Sequence, residues 1–156
     1  MGVVEEGIAQ RRRRRKGRYE VPSRIRIFEK FASGLAGIGE YSHLIVIWHM
    51  DRANEVRLKA KPRGNADMPK VGIFATRFPS RPNHIATSVV ELVNISDAVL
   101  TVRGLDAYPG SPVLDIKPYD YWDMVKKPRV PSWFKLFWKK RSSQGHYAEQ
   151  VAWLGP

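Results

Sequence analysis

The stretch GIFATRFPSRPNHIATSVV, residues 72–90, sets Arg77, Arg81 and Asn83 around Pro79 and Pro82. Prolines fix backbone angles and reduce the entropy lost when a loop holds a ligand, so this loop can aim polar groups at a bound molecule. A second stretch, GLDAYPGSPVLDIKPY at residues 104–119, places Asp106 and Asp115 in loop or strand-end positions beside prolines. A third, YSH at residues 41–43, puts His43 at the head of an apolar run. Turn chemistry competes for both long stretches, because Asp and Pro are ordinary turn residues and the PG of YPGSP is a turn signal. His43 and His49, each alone, read first as hydrogen-bonded core histidines. No histidine pair has metal-ligand spacing with a carboxylate, so no metal is expected. The glycines of GLAGIG, residues 34–39, do not link a strand to the start of a helix, as a dinucleotide fingerprint requires. They read as a helix-ending cluster.

The elements that must carry these groups are mostly strands. MGVVEE is a short first strand. SRIRIFE alternates Ile25 and Ile27 with Arg24 and Arg26, the period of a half-buried strand. EKFASGLAGIG spaces Phe31, Leu35 and Ile38 on one helical face and predicts a short helix ending near Gly37 or Gly39. YSHLIVIWHM is a buried strand, KAKPRGNADMPK a basic loop and VGIFATR another strand. TSVVELVNI and AVLTVRGL form a hairpin turning near residues 94–97, and VLDIKPY is a strand closed by Pro118. A short aromatic helix is expected near residues 133–139. Strands do not alternate with long helical patterns, which argues against a doubly wound parallel sheet. The fold class is mainly β, a small single-sheet barrel with a few short helices.

The chain has 156 residues, enough for one domain with its own core, and it contains no cysteine. Disulfides, a thiol nucleophile and Cys-based zinc sites are thereby excluded. No segment is long and apolar enough to span a membrane, the N-terminus lacks the apolar core of a signal peptide, and a cytoplasmic protein is expected. The net charge of +12 points to a polyanionic partner, most often nucleic acid. The charge is concentrated. RRRRRKGR at residues 11–18 forms one cluster, and KKPRVPSWFKLFWKKR at 126–141 forms another, interleaved with Trp133, Phe134, Phe137 and Trp138. Contact with RNA and a simple solvated tail compete for the first run. In the second, the tryptophans suit packing and the lysines suit phosphates. The chain thus reads as one domain over residues 1–156, with a basic segment at 11–18 and a basic aromatic extension at 124–156.

Three blocks together resemble the TsaA-like (YaeB-like) family. GIFATRFPSRPNHIATSVVEL is similar to its G-V-F-A-T-R-S-P-x-R-P-N-P-I-G-x-S-V-V-x-L signature. GLDAYPGSPVLDIKPY is similar to G-L-D-A-x-D-G-T-P-V-L-D-I-K-P-Y, and GIGEYSHLIVIWHM resembles the segment before both. His84-Ile85-Ala86 replaces the family's Pro-Ile-Gly, Phe78 replaces its Ser, and its early P-R-Q element is not recognisable here. The resemblance implies a small β-barrel and S-adenosylmethionine as cofactor. The implied reaction is methylation of N6 of threonylcarbamoyladenosine beside the tRNA anticodon. It also implies a homodimer with the cofactor near the subunit interface.

Carried onto this chain, the resemblance assigns cofactor contacts to Phe74, Ala75, Arg77, Arg81, Asn83, Leu105, Asp106, Pro112, Leu114 and Tyr119. Main-chain groups of Phe74, Ala75, Leu105 and Leu114 would read the adenine and methionine parts. Arg77 and Arg81 would hold a carboxylate through charge-assisted pairs, and Asp106 a hydroxyl or amino group. N6 must lose a proton as it is methylated; Asp115 and then His43 are the candidate bases. Arg13, Arg15, Lys117, Lys126 and Lys127 would meet RNA phosphates. Two other functions compete: an RNA-binding barrel without chemistry, and a methyltransferase of the same fold acting on a small molecule.

Overall fold

A computed structural model describes residues 1–7 and 21–142. The arginine run, with Arg13 and Arg15, and the chain beyond residue 142 lie outside the described residues. Eight strands form in chain order: β1 (Gly2–Glu6), β2 (Ser23–Ile27), β3 (His43–His49), β4 (Lys59–Ala60), β5 (Val71–Gly72), β6 (Ile85–Ser96), β7 (Val99–Arg103) and β8 (Pro112–Pro118). One α-helix, α1, spans Ser132–Ser142. Six strands close an antiparallel barrel in the order β1-β2-β7-β6-β3-β8, and β4 pairs with β5 in a separate ribbon. The expected barrel is therefore present. No helix among the described residues is long and apolar enough to cross a membrane.

Alternation builds the core. Ser23, Ile25 and Ile27 are buried while Arg24 and Arg26 are exposed. Leu44, Val46 and Trp48 of β3 point inward against Val90, Leu100, Val102 and Val113. The Trp48 indole N–H donates to Ser88 Oγ at 3.2 Å, which satisfies a buried donor. Register shifts in β1, β6 and β8 add the local bends that a six-stranded closure needs. The shift in β8 falls at Leu114, so that Leu114 and Asp115 both face outward and Ile116 packs against the core.

Three local expectations differ from the structure. The helix at residues 29–39 is two 3-10 segments, Glu29–Leu35 and Ile38–Glu40, split by Gly37 at φ 80°. Glycines at 34, 37 and 39 weaken the longer helix. Only Val71 and Gly72 of VGIFATR pair as a strand; Ile73–Ala75 is a 3-10 turn whose Ile73 is buried. Lys59 and Ala60, read as part of a basic loop, instead pair with Gly72 and Val71 as β4. The hairpin turns at Asp97 and Ala98, at the end of the expected span, both with positive φ, as a two-residue primed turn requires.

Candidate active site

The registers place three connections at one end of the barrel. There β3 ends and β6 begins, β7 ends and β8 begins, and β1 ends and β2 begins. Both signature loops, residues 73–84 and 104–111, therefore emerge together. Glu6 and Ser23, the described ends of β1 and β2, stand at this same end.

The first loop is braced from within. Arg81 Nη1 donates to the carbonyls of Thr76 at 2.6 Å and Ile73 at 3.1 Å, and its guanidinium lies 5.9 Å from the Phe74 ring centroid. Arg81 is thus engaged with its own loop. Arg77 is exposed, with no side-chain hydrogen bond or ion pair among the described residues. Phe74 is 78% exposed. Asn83 and Ala75 also face solvent. His84 takes φ 48°, a value closed to the proline of the family pattern, and its Nε2 lies 3.1 Å from the Glu55 carbonyl. Ala86 sits in regular β6 pairing with Trp48, so its Cβ meets no demand for positive φ.

The second loop plugs the barrel. Leu105 and Ala107 are fully buried in the core, so Leu105 has only its main chain to offer a ligand. Gly7 allows the close approach of β1's end, since a Cβ there would lie 2.2 Å from the Ala107 carbonyl oxygen. Buried Ser111 donates to Asp51 Oδ1 at 2.6 Å, and the Arg52 guanidinium covers the Tyr108 ring at 4.2 Å. Asp51 and Arg52 thereby tie the end of β3 to this loop. Neither was marked by sequence, because their partners lie about sixty residues away. Asp106 and Leu114 flank the plug, half-buried and exposed respectively, and Pro112 opens β8.

The outer face of β8–β3–β6 carries the remaining candidates. Register aligns Lys117 with Ile45 and Val89, Asp115 with Ile47 and Thr87, and Glu91 with His43. Asp115 Oδ2 pairs with Lys117 Nζ at 2.6 Å, and Asp115 Oδ1 accepts the Ile116 N–H at 2.9 Å. His43 Nδ1 lies 2.9 Å from Ser42 Oγ, with the Tyr119 ring 6.4 Å away edge-on. His43 and Asp115 share the face but stand four residues apart along the strands, roughly 13 Å. The fold does not bring these two bases onto one proton. Lys126 and Lys127 are exposed on the segment that follows β8.

A groove of about 340 Å³ lies elsewhere, lined by Arg24, Arg26, Asn94, Ser96, Asp97, Val99 and Thr101. Both arginines there share the single carboxylate of Glu5, which offsets one of their two charges. The signature loops remain the better candidate because exposed apolar and ionic groups converge on them.

Residues 11–124 match the family described as tRNA-methyltransferase O N-terminal domain. The chain belongs to this family. An S-adenosyl-L-methionine-binding protein of Archaeoglobus fulgidus is 44% identical over 106 residues, which cover 67% of this chain and 75% of that protein. The human tRNA (adenine(37)-N6)-methyltransferase is 36% identical over 99 residues, covering 62% of this chain but 22% of the human one. The crystal structure of TrmO from Pseudomonas aeruginosa superposes with a TM-score of 0.58 at 30% identity, over 72% of this chain and 48% of that one. The chain thus spans about half the length of that TrmO structure.

Proposed function

We propose that this chain binds S-adenosylmethionine at the two signature loops and methylates N6 of threonylcarbamoyladenosine in tRNA, a reaction of the cytoplasm. Family membership across both loops, which the barrel brings to one end, carries this reading. The groups present suit the cofactor. Arg77 offers an unpaired cation for its carboxylate, Phe74 an exposed ring for its adenine, and Asp106 an acceptor for a hydroxyl or amino group. The bound sulfonium would supply an electrophilic methyl group for in-line displacement.

The chain's own task is positioning and proton removal. Arg81 holds the first loop in shape, and Asp51 through Ser111 holds the second. Asp115, ion-paired with Lys117, is the favoured acceptor for the N6 proton; the pair stays charge-balanced until the proton moves. Tyr119 and His43 border the same face about 13 Å further along the strands, at the end away from the signature loops, so they would meet a part of the substrate other than the reacting N6.

We further assign the aliphatic strip of Ile45, Ile47, Val89 and Ile85 on this outer face to a homodimer contact. Val89 and Ile85 are exposed there beside partly buried Ile45 and Ile47, and burying such a strip favours association. A second protomer on this strip would also cover Leu114, the exposed apolar residue of the neighbouring β8.

Calorimetric titration with S-adenosylmethionine and S-adenosylhomocysteine tests the reading. Saturable binding of both, weakened by Arg77→Ala, together with methyl transfer to tRNA bearing the threonylcarbamoyl group, is expected. Absence of cofactor binding by the folded protein would overturn it. Binding without turnover would leave an RNA-binding barrel.

A further inference from the structure

After β8, the chain makes a tight 3-10 turn at Tyr121–Asp123. It is closed by a reciprocal cap. Asp120 Oδ1 accepts the Trp122 N–H at 2.8 Å, and Asp123 Oδ2 accepts the Asp120 N–H at 3.2 Å. From this locked turn Tyr121 and Trp122 project almost wholly into solvent, 90% and 95% exposed, with Val125 also exposed. Two adjacent aromatic rings held out by a rigid backbone are not explained by the barrel core, which they do not touch.

The charges around the turn identify the partner. Asp120 and Asp123 are both occupied by backbone N–H groups, and Asp115 by Lys117. Lys126, Lys127 and Arg129 follow on the same exposed segment, and α1 adds Lys135 and Lys139. Rings followed by Lys126, Lys127 and Arg129, which outnumber the still-charged Asp120 and Asp123, match unpaired nucleotides: every base offers a π-face, and each nucleotide carries one phosphate.

We infer that Tyr121 and Trp122 form a stacking platform for unpaired bases of the RNA substrate, with Lys126, Lys127 and Arg129 meeting the adjoining phosphates. This rests on the reading of an RNA substrate and extends it. The platform leaves the barrel at the end opposite the signature loops, about 23 Å away for a seven-residue strand. It therefore holds a part of the RNA other than the reacting base. The RNA would lie along the outer face of β8, past Lys117.

The test compares the full chain and its variants binding a short anticodon stem-loop and a blunt RNA duplex of equal charge. Wild type is expected to prefer the stem-loop. Trp122→Ala should weaken stem-loop binding roughly 5- to 100-fold, and Trp122→Phe should recover most of it. Duplex binding, S-adenosylmethionine affinity and the salt slope should stay as in wild type, because stacking displaces no counterions. Lys126→Ala should instead shallow the salt slope by about one unit. Equal loss on stem-loop and duplex, or no loss, would refute the platform. So would a fall in sedimentation from dimer to monomer on Trp122→Ala, which would mark a self-association surface. If wild type binds neither RNA, the substrate reading itself fails, an outcome distinct from the others.

Discussion

At the scale of single residues, the two signature arginines divide their work. Arg81 spends its guanidinium on two carbonyls of its own loop and on the Phe74 ring. Arg81→Met should cost about 2 kcal/mol in urea denaturation, the usual loss for charge-assisted bonds to partly buried acceptors. Arg77→Met, which breaks no such bond, should change stability by less than about 0.5 kcal/mol but weaken S-adenosylmethionine measurably in calorimetry. Asp115 offers a sharper comparison. Asp115→Asn removes the proton acceptor yet keeps shape, so single-turnover methyl transfer should fall about 100-fold or more while cofactor affinity holds. An equal fall for His43→Gln would move the base to the other end of the face.

Elements decide whether the loops stay in place. The loop at 104–111 is part of the core, because Leu105 and Ala107 fill the barrel's mouth. Leu105→Ala should cost about 3 kcal/mol, the usual loss for a fully buried leucine. Gly7 tests the same loop from β1. Gly7→Ala drives a Cβ against the Ala107 carbonyl and should weaken both stability and cofactor affinity. Gly34→Ala meets nothing within 4 Å and should be tolerated. A thermal-melt comparison of the two alanine variants separates close packing from a general glycine effect.

For the whole molecule, the expected partners are a second copy and RNA. Val89→Asp puts a charge on the aliphatic strip beside Ile45; if the proposed dimer forms there, wild type should sediment as a dimer and the variant as a monomer in analytical ultracentrifugation, with the barrel's circular dichroism unchanged. With a net charge of +12, tRNA affinity should fall steeply and log-linearly with salt in filter-binding assays.

The sequence alone determined the strands, the barrel class and the three family blocks. These follow from local alternation and from residue patterns that need no partner. Ile25 and Ile27 lie where their period put them, whereas the continuous apolar run of β3 did not tell that Leu44, Val46 and Trp48 face the core and Ile45 and Ile47 the outside. It could not determine what turned on distant contacts. Phe74 and Ile73 read as strand, but the local ribbon with Lys59 and Ala60 ends at Gly72 and a 3-10 turn follows. Arg81 read as a ligand group, and only the folded loop reveals the carbonyls it serves. The clasp of Asp51 on Ser111 and the fit of Gly7 under Ala107 join segments far apart in the chain. Asp115 and, after it, His43 are the bases read from sequence, and only the register of β3 with β8 sets them on one face and too far apart to share a proton. Side-chain period is a local property of the backbone, whereas register and loop closure are properties of the closed barrel, so they were decided by the tertiary structure.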